Sequence, residues 1–180
     1  KCLEHHIKHR PFFSPISIHP RIARSMVNFS NCSVKNKIID PFCGTGGILI
    51  EIANMEITGI GIDILDKMVE CSIGNLKHYN LEGEIIQGDI QKIQDYNTDA
   101  IVTDPPYGIS TTTKGEGIEE LMLRSLSLFN KKLNLGQRVV MAISKPELIK
   151  NNNFRILYQF EWYIHKSLTR NIIVMEKINI

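Results

Sequence analysis

The sequence lacks several features that would each indicate a particular class of protein. It has no apolar run of about 18 residues or more, so a membrane-spanning helix is not expected. Its four cysteines include no pair at CxxC spacing and give no sign of a secreted disulfide framework. These absences favour a reducing, cytoplasmic setting and exclude a membrane partner from our expectations.

The net charge of the chain is also small. The formal value of +2 is too small to indicate nucleic-acid binding by itself. The first ten residues are polar and contain no apolar signal segment, and the chain begins with Lys1 rather than methionine. We therefore expect a piece of a longer protein, in which a nucleic-acid substrate would be held partly by residues outside this chain.

Four residues of types that can bind metal ions lie near the start of the chain. Cys2, His5, His6 and His9 lie close together in sequence. Zinc sites usually need four well-spaced ligands, and chain ends are commonly solvated. We expect a linker here and no metal.

The length of 180 residues fits one domain, and its apolar segments alternate between strand-like and helix-like patterns. Early strands are predicted at 37–40, 58–64, 84–90 and 100–103, with helices between them, which is typical of a parallel sheet covered on both faces. The last two strands, 154–165 and 171–177, are joined by a turn near Leu168 to Arg170 and must be antiparallel. We predict an α/β domain over residues 21–180, preceded by an irregular lead-in over residues 1–20.

Each of the four early strands ends at or beside an aspartate: Asp40, Asp63, Asp89 and Asp104. The carboxyl ends of parallel strands share one edge of the sheet, where ligands of open α/β sheets bind. Helix capping would explain one or two of these acids. Four in succession predict a ligand crevice.

A glycine-rich turn follows the first strand. Gly44, Gly46 and Gly47 allow a ligand to approach the backbone closely, and the next helix begins with unpaired N–H groups. The turn departs from GxGxxG, and the chain has no GKS or GKT sequence. Taken alone, the turn is explained equally well as a tight strand-to-helix connection.

The spacing of the acids indicates an adenosine-containing cofactor. Asp63 follows the first acid at roughly the 20-residue distance that suits ribose hydroxyls. Asp89 suits an adenine amino group. Ile64 and Ile90 could flank the adenine ring, with core packing as an equal alternative. NAD and S-adenosylmethionine both satisfy this pattern.

The segment Asp104-Pro105-Pro106-Tyr107 carries the strongest chemical signal. Its prolines stiffen the backbone, and it offers a carboxylate, a carbonyl oxygen and a flat ring. The exocyclic amino nitrogen of a nucleic-acid base is a poor nucleophile because its lone pair is delocalised. Two acceptors bonded to its hydrogens aim that lone pair at a methyl donor, and an aromatic ring can stack on the base. A rigid turn is the plain alternative; we predict that these four residues are catalytic.

With these motifs the chain resembles the Rossmann-like amino methyltransferases. Residues 40–47 are similar to that group's first cofactor motif, which implies that Asp40, Phe42, Cys43 and Thr45 contact S-adenosylmethionine together with the three glycines. Asp63 and Asp89 match its ribose and adenine acids, and Asp104 to Tyr107 match its catalytic motif. The resemblance implies a seven-stranded sheet in the order 3-2-1-4-5-7-6 with the last strand reversed.

Finer similarity points to the archaeal tRNA guanosine-10 N2-methyltransferases and their eukaryotic relatives. The similar segments are 10–13, 19–24, 40–51, 75–79 and 167–170. The resemblance implies methylation of guanosine N2 in tRNA and a THUMP-containing N-terminal region as the partner that helps bind tRNA. It also implies that this chain is the catalytic domain, with the lead-in folded over the methionine end of the cofactor.

Other functions remain open at this point. DNA adenine-N6 and cytosine-N4 methyltransferases share the catalytic motif but usually carry a DNA-recognition region, for which the loop at 110–117 is short. Protein-glutamine methyltransferases characteristically have asparagine where Asp104 stands. A non-catalytic tRNA-binding module would have little need of the intact motif, and an NAD-dependent oxidoreductase would leave it unexplained.

Overall fold

The structure is a computed structural model that describes residues 9–12, 14, 17–106, 116–150, 153–165 and 168–179. Within these ranges the α-helices are α1 (Pro20–Phe29), α2 (Gly47–Ala53), α3 (Asp66–His78) and α4 (Ile118–Lys132). The strands are β1 (Lys37–Asp40), β2 (Thr58–Asp63), β3 (Glu84–Gln87), β4 (Ala100–Thr103), β5 (Arg138–Ile143), β6 (Phe154–His165) and β7 (Leu168–Lys177). Short 3₁₀ helices lie at Ile90–Asp95 and Pro146–Leu148.

All seven strands form one sheet in the order β3-β2-β1-β4-β5-β7-β6. The strands from β3 to β5 are parallel, and β7 runs antiparallel to both β5 and β6. This confirms the predicted fold class and strand order. None of the described helices combines the length and the apolar character needed to cross a membrane.

Two apolar cores cover the two faces of the sheet, because successive strand residues point to opposite sides. In β1, Ile38 belongs to the core shared with α1 and α2, while Ile39 belongs to the core shared with α4. All of the sheet residues that line either core in β1, β4 and β5 are fully or almost fully buried. The cores leave the carboxyl edge of the sheet to polar side chains.

Three predicted boundaries were wrong. The second strand ends at Asp63, one residue before the predicted end at 64. The third strand ends at Gln87 rather than at 90, because Asp89 caps the following 3₁₀ helix by accepting a hydrogen bond of 3.0 Å from the Gln91 nitrogen. The turn predicted near Leu168 to Arg170 lies inside β7, where Arg170 pairs with Trp162 of β6. The strand includes these residues because they pair with β6, and the polar Arg170 side chain is buried against Asp104, which lies directly after β4.

Candidate active site

The glycine turn between β1 and α2 forms the floor of the carboxyl edge. Gly44 and Gly46 adopt left-handed φ angles of 50° and 80°, conformations that favour glycine. A Cβ on Gly46 would lie 2.5 Å from the Ser72 hydroxyl oxygen of α3, whereas a Cβ on Gly44 would meet nothing within 4 Å. The turn is therefore packed against α3 at Gly46 and open at Gly44, where a ligand can approach the backbone.

Asp63, the last residue of β2, organises this turn. Its Oδ2 accepts a hydrogen bond of 2.9 Å from the Gly44 nitrogen, and its Oδ1 accepts one of 2.9 Å from the Leu65 nitrogen. Burial raises the pKa of the Asp63 carboxyl, although these backbone hydrogen bonds lower it. The residue predicted to hold a ribose thus also fixes the shape of the glycine turn.

Asp89 lies at the same edge but is already paired. Its carboxylate accepts hydrogen bonds from Nη1 and Nη2 of Arg124 on α4, at 2.6 and 3.0 Å. Arg124 also donates a hydrogen bond of 2.7 Å to Glu116. The Arg124 hydrogen bond holds the pKa of Asp89 below its ordinary value. Sequence reasoning missed Arg124, since nothing in the spacing of α4 ties it to a strand end 35 residues away.

The isoleucines beside these acids differ in burial. Ile64 is half-buried at the edge, whereas Ile90 is 3% exposed and packs in the core under α4. Core packing accounts for most of the Ile90 surface. Contact of either side chain with adenine stays a prediction.

Asp40 is buried beneath the turn. Its Oδ1 accepts a hydrogen bond of 2.7 Å from the Thr103 hydroxyl and one of 3.2 Å from the Phe42 nitrogen. Burial raises the pKa of Asp40 to about 7, with the charge of Asp63 adding to the rise and the Thr103 hydrogen bond opposing it. Asp40 therefore joins the ends of β1 and β4 from within the protein.

Asp104, directly after β4, lies beside Asp40 and faces the buried cation Arg170. Arg170 Nη1 is 3.0 Å from Asp104 Oδ2, while Oδ1 is buried without a hydrogen-bond partner among the described residues. Burial raises the pKa of Asp104 to about 7; Arg170 lowers it and Asp40 raises it further. The arrangement leaves one carboxyl oxygen, Oδ1, without a hydrogen bond from any described residue.

The four aspartates predicted to converge do lie at one edge of the sheet. Asp63 acts electrostatically on Asp40, and Asp40 acts on Asp104. Asp89 follows Gly88, whose nitrogen donates to the Asp63 carbonyl at 2.9 Å. Their contacts with a ligand stay a prediction.

The lead-in is fastened to the glycine turn by Asn75 of α3. The fully buried Asn75 side chain accepts a hydrogen bond from the Phe12 nitrogen and donates to the carbonyls of Phe12 and Thr45, at 3.1, 3.1 and 2.9 Å. Ser17 and Thr45 share a hydroxyl hydrogen bond of 3.0 Å. Asn75 belongs to the segment 75–79 that carries the family resemblance, but the sequence does not indicate that its side chain clamps Phe12 to Thr45.

Some predicted features fall outside the described residues: Tyr107, most of the loop at 110–117, and Cys2, His5 and His6 of the suggested metal cluster. In the part of the chain that the structure describes, no three His, Cys, Asp or Glu side chains are grouped to hold a metal ion.

Comparison with known families gives one domain match. The family described as UPF0020, RMKL-like, methyltransferase domain, matches residues 8–160. Among curated proteins, the chain is 42% identical over 174 residues to the tRNA (guanine(10)-N2)-dimethyltransferase of Methanothermobacter thermautotrophicus, covering 94% of this chain and 52% of that protein. It is 35% identical to the enzyme of the same name from Methanocaldococcus jannaschii, covering 94% of this chain and 49% of that protein.

Among solved structures, TrmN from Thermus thermophilus matches with a TM-score of 0.80 and 20% identity, covering 91% of this chain and 50% of that chain. At this identity the likeness concerns the fold. The chain spans about half the length of the two curated relatives.

Proposed function

The chain belongs to the UPF0020 family of RMKL-like methyltransferase domains, and on that premise we propose that it transfers a methyl group from S-adenosylmethionine to the N2 amino group of a guanosine in tRNA. The single observation that carries the proposal is the Asp104 carboxyl group directly after β4: Oδ2 accepts a hydrogen bond from Arg170, and the buried Oδ1 has no partner among the described residues. Such an oxygen suits an amino N–H donor.

The residues at the carboxyl edge fit S-adenosylmethionine. Gly44 is left-handed and open on its Cβ side, so a ligand can approach the turn closely. We propose that the 40–47 turn and Asp63 hold the amino acid and ribose portions, and that Asp89 lies near the adenine. When bound, this cofactor supplies a methyl group already activated by the sulfonium. The described residues supply hydrogen-bond acceptors and a shaped floor for it.

The chain's own catalytic task is to orient a weak nucleophile. Asp104 Oδ1 accepts one hydrogen of the guanine amino group, and the Pro105 carbonyl accepts the other. With both hydrogens held, the nitrogen lone pair points away from the two acceptors, and alignment of this kind contributes several kcal/mol to catalysis. Pro106 stiffens this segment, and Tyr107 stacks on the base.

Asp104 also offers a place for the proton that the amine loses. Its pKa of about 7 lets it accept a hydrogen bond as a carboxylate and then take up a proton near neutral pH. A fully exposed aspartate, with a pKa near 4, would be a much weaker base. The burial that raises the pKa therefore serves the reaction.

We propose that tRNA is held partly outside this chain, by a THUMP-containing N-terminal region, in the cytoplasm. The formal net charge of +2 supports this division, because phosphate contacts usually require a stronger basic excess. The lead-in over residues 1–20, clamped by Asn75 at Phe12, would connect that region to the cofactor site and cover its methionine end.

The experiment is a substrate comparison. The full-length gene product is incubated with methyl-labelled S-adenosylmethionine and, separately, unmodified tRNA, duplex DNA or protein, and the labelled product is identified by chromatography. We expect label in N2-methylguanosine or N2,N2-dimethylguanosine from tRNA. Label in N6-methyladenine, in N4-methylcytosine or in protein glutamine would contradict the proposal.

A further inference from the structure

Asp104 and Arg170 meet across the end of a strand that separates them. They are 66 positions apart in the chain, and β5 lies between β4 and β7 in the sheet. Asn171 pairs with Ile143, the last residue of β5, so Arg170 lies one residue beyond the carboxyl end of that strand. Its side chain can therefore cross over the end of β5 and reach the Asp104 carboxylate.

The Arg170 side chain is held in place on two sides. It is 5% exposed, with Nη1 at 3.0 Å from Asp104 Oδ2, and its guanidinium carbon lies 5.6 Å from the centre of the Trp162 ring. Burying a guanidinium is costly in desolvation, and a buried ion pair commonly gives little net stability. An arginine kept in such a place, against the carboxylate of the catalytic segment, indicates a role beyond stability.

We propose that Arg170 is a positioning residue for methyl transfer, which fixes Asp104 through Oδ2 so that Oδ1 faces the substrate amine as a carboxylate oxygen. This inference rests on the proposed amino methyltransferase function. Trp162 supports it by covering the guanidinium, so that the planar group keeps one orientation.

Removing the Arg170 charge should alter how Asp104 ionises. Two charged groups face Asp104 among the described residues: Arg170 from β7 and Asp40 from the end of β1. Arg170 lowers the pKa of Asp104, whereas burial and Asp40 raise it. Without Arg170 only the raising influences remain, so a larger fraction of Asp104 would be protonated at neutral pH, and a protonated carboxyl is a weaker acceptor for the amine than a carboxylate.

The first test needs no substrate. The Asp104 carboxyl carbon is titrated by NMR in the wild-type protein, Arg170→Gln and Arg170→Lys, with Asp104→Asn to assign the signal. We expect Arg170→Gln to raise the pKa of Asp104 by about 1–3 units, the size of effect an adjacent opposite charge has, and Arg170→Lys to raise it less. Arg155→Gln is the matched control, because it removes an exposed arginine paired with Glu176 at 2.9 Å. An unchanged pKa in Arg170→Gln would overturn the inference.

The second test follows turnover. We expect Arg170→Gln to lower kcat for tRNA methylation at pH 7 at least about tenfold and to move the acid limb of the kcat profile to higher pH, while the Kd for S-adenosylmethionine is unchanged. Arg170→Lys should keep the acid limb near its wild-type position even if it turns over slowly. A folded Arg170→Gln enzyme with wild-type kcat and profile would refute the positioning role.

Failure of the proposed function has a different signature. It would show as a wild-type protein that does not methylate guanosine in tRNA, whatever the titration of Asp104 shows. The inference alone fails if the wild-type protein methylates guanosine and Arg170→Gln leaves either the Asp104 pKa or the pH profile unchanged.

Discussion

The carboxylate of Asp63 accepts a hydrogen bond of 2.9 Å from the backbone nitrogen of Gly44, which joins the end of β2 to the glycine turn after β1. Its other oxygen accepts a hydrogen bond of 2.9 Å from the Leu65 nitrogen. Both oxygens therefore fix backbone at the place where the cofactor is proposed to lie. A single side chain sets the shape of the turn and offers the charge predicted to meet a ribose.

Asp63→Ala should weaken cofactor binding, and it should also lower the free energy of unfolding because the Gly44 and Leu65 N–H groups lose their acceptor. Loss of hydrogen bonds to a charged group costs about 1.5–3 kcal/mol, which corresponds to roughly a ten- to hundred-fold rise in Kd. Calorimetric titration with S-adenosylhomocysteine measures it. The control is Asp66→Asn, an exposed change three residues later on α3. Equal affinity in wild type and Asp63→Ala would exclude the assigned role.

The clamp between α3 and the lead-in gives a prediction about stability and binding together. Asn75→Ala removes hydrogen bonds to Phe12 and Thr45, each contributing about 1 kcal/mol, and leaves their backbone groups without those partners. We expect the free energy of unfolding to fall by about 3 kcal/mol and cofactor affinity to weaken. Urea unfolding and calorimetry measure the two effects.

Asn28→Ala is the comparison for Asn75→Ala, because Asn28 is an exposed asparagine on α1. It should change neither quantity measurably. If Asn75→Ala lost stability but bound the cofactor as tightly as wild type, the lead-in would not support the site.

The raised pKa of Asp40 gives a prediction about how stability changes with pH. Its pKa is raised to about 7, chiefly by burial, from an ordinary value near 4. Between these values the folded protein holds a proton that the unfolded chain has released, so the free energy of unfolding falls as the pH rises from about 4 to about 7. Asp104, whose pKa is also raised to about 7, adds to the same slope.

Asp40→Asn should flatten the dependence of the free energy of unfolding on pH. At pH 8 it should stabilise the protein by an amount on the order of 2–4 kcal/mol, because Asn keeps an acceptor for Thr103 and carries no charge. Urea unfolding at several pH values measures it, with the exposed Asp95→Asn as the control. A variant destabilised by the same amount at pH 5 and pH 8 would mean that Asp40 does not carry the buried charge.

Much of the fold followed from sequence because its signals are local. Strand alternation and the placement of helices between strands predicted β1 and β4 at their observed bounds. The acids at the strand ends were predicted to share one edge of the sheet, since parallel strands bring their carboxyl ends together, and they lie there; that this edge holds the cofactor stays a prediction. The Asp104 segment stood out by composition alone.

What sequence could not predict depends on contacts between distant residues. The local pattern places Arg170 in a turn, because its contacts are with Asp104, directly after β4, and with Trp162 of β6, which are distant in sequence or unmarked by any local signal. Arg124 and Asn75 gave no local signal, since each is defined by the partners that the fold brings to it. These three polar side chains hold the acids and the lead-in in position.

The most direct test of the account compares wild type with Asp104→Asn in single-turnover reactions on unmodified tRNA, with saturating labelled S-adenosylmethionine and nucleoside analysis of the product. For wild type we predict label in N2-methylguanosine. For Asp104→Asn we predict a rate at least about 100-fold lower, because the asparagine side chain is uncharged and can turn an N–H donor toward the amine. The Kd for the cofactor should stay within about twofold of wild type. N2-methylguanosine formed at the wild-type rate by Asp104→Asn, or wild-type label only in another nucleoside, would contradict it.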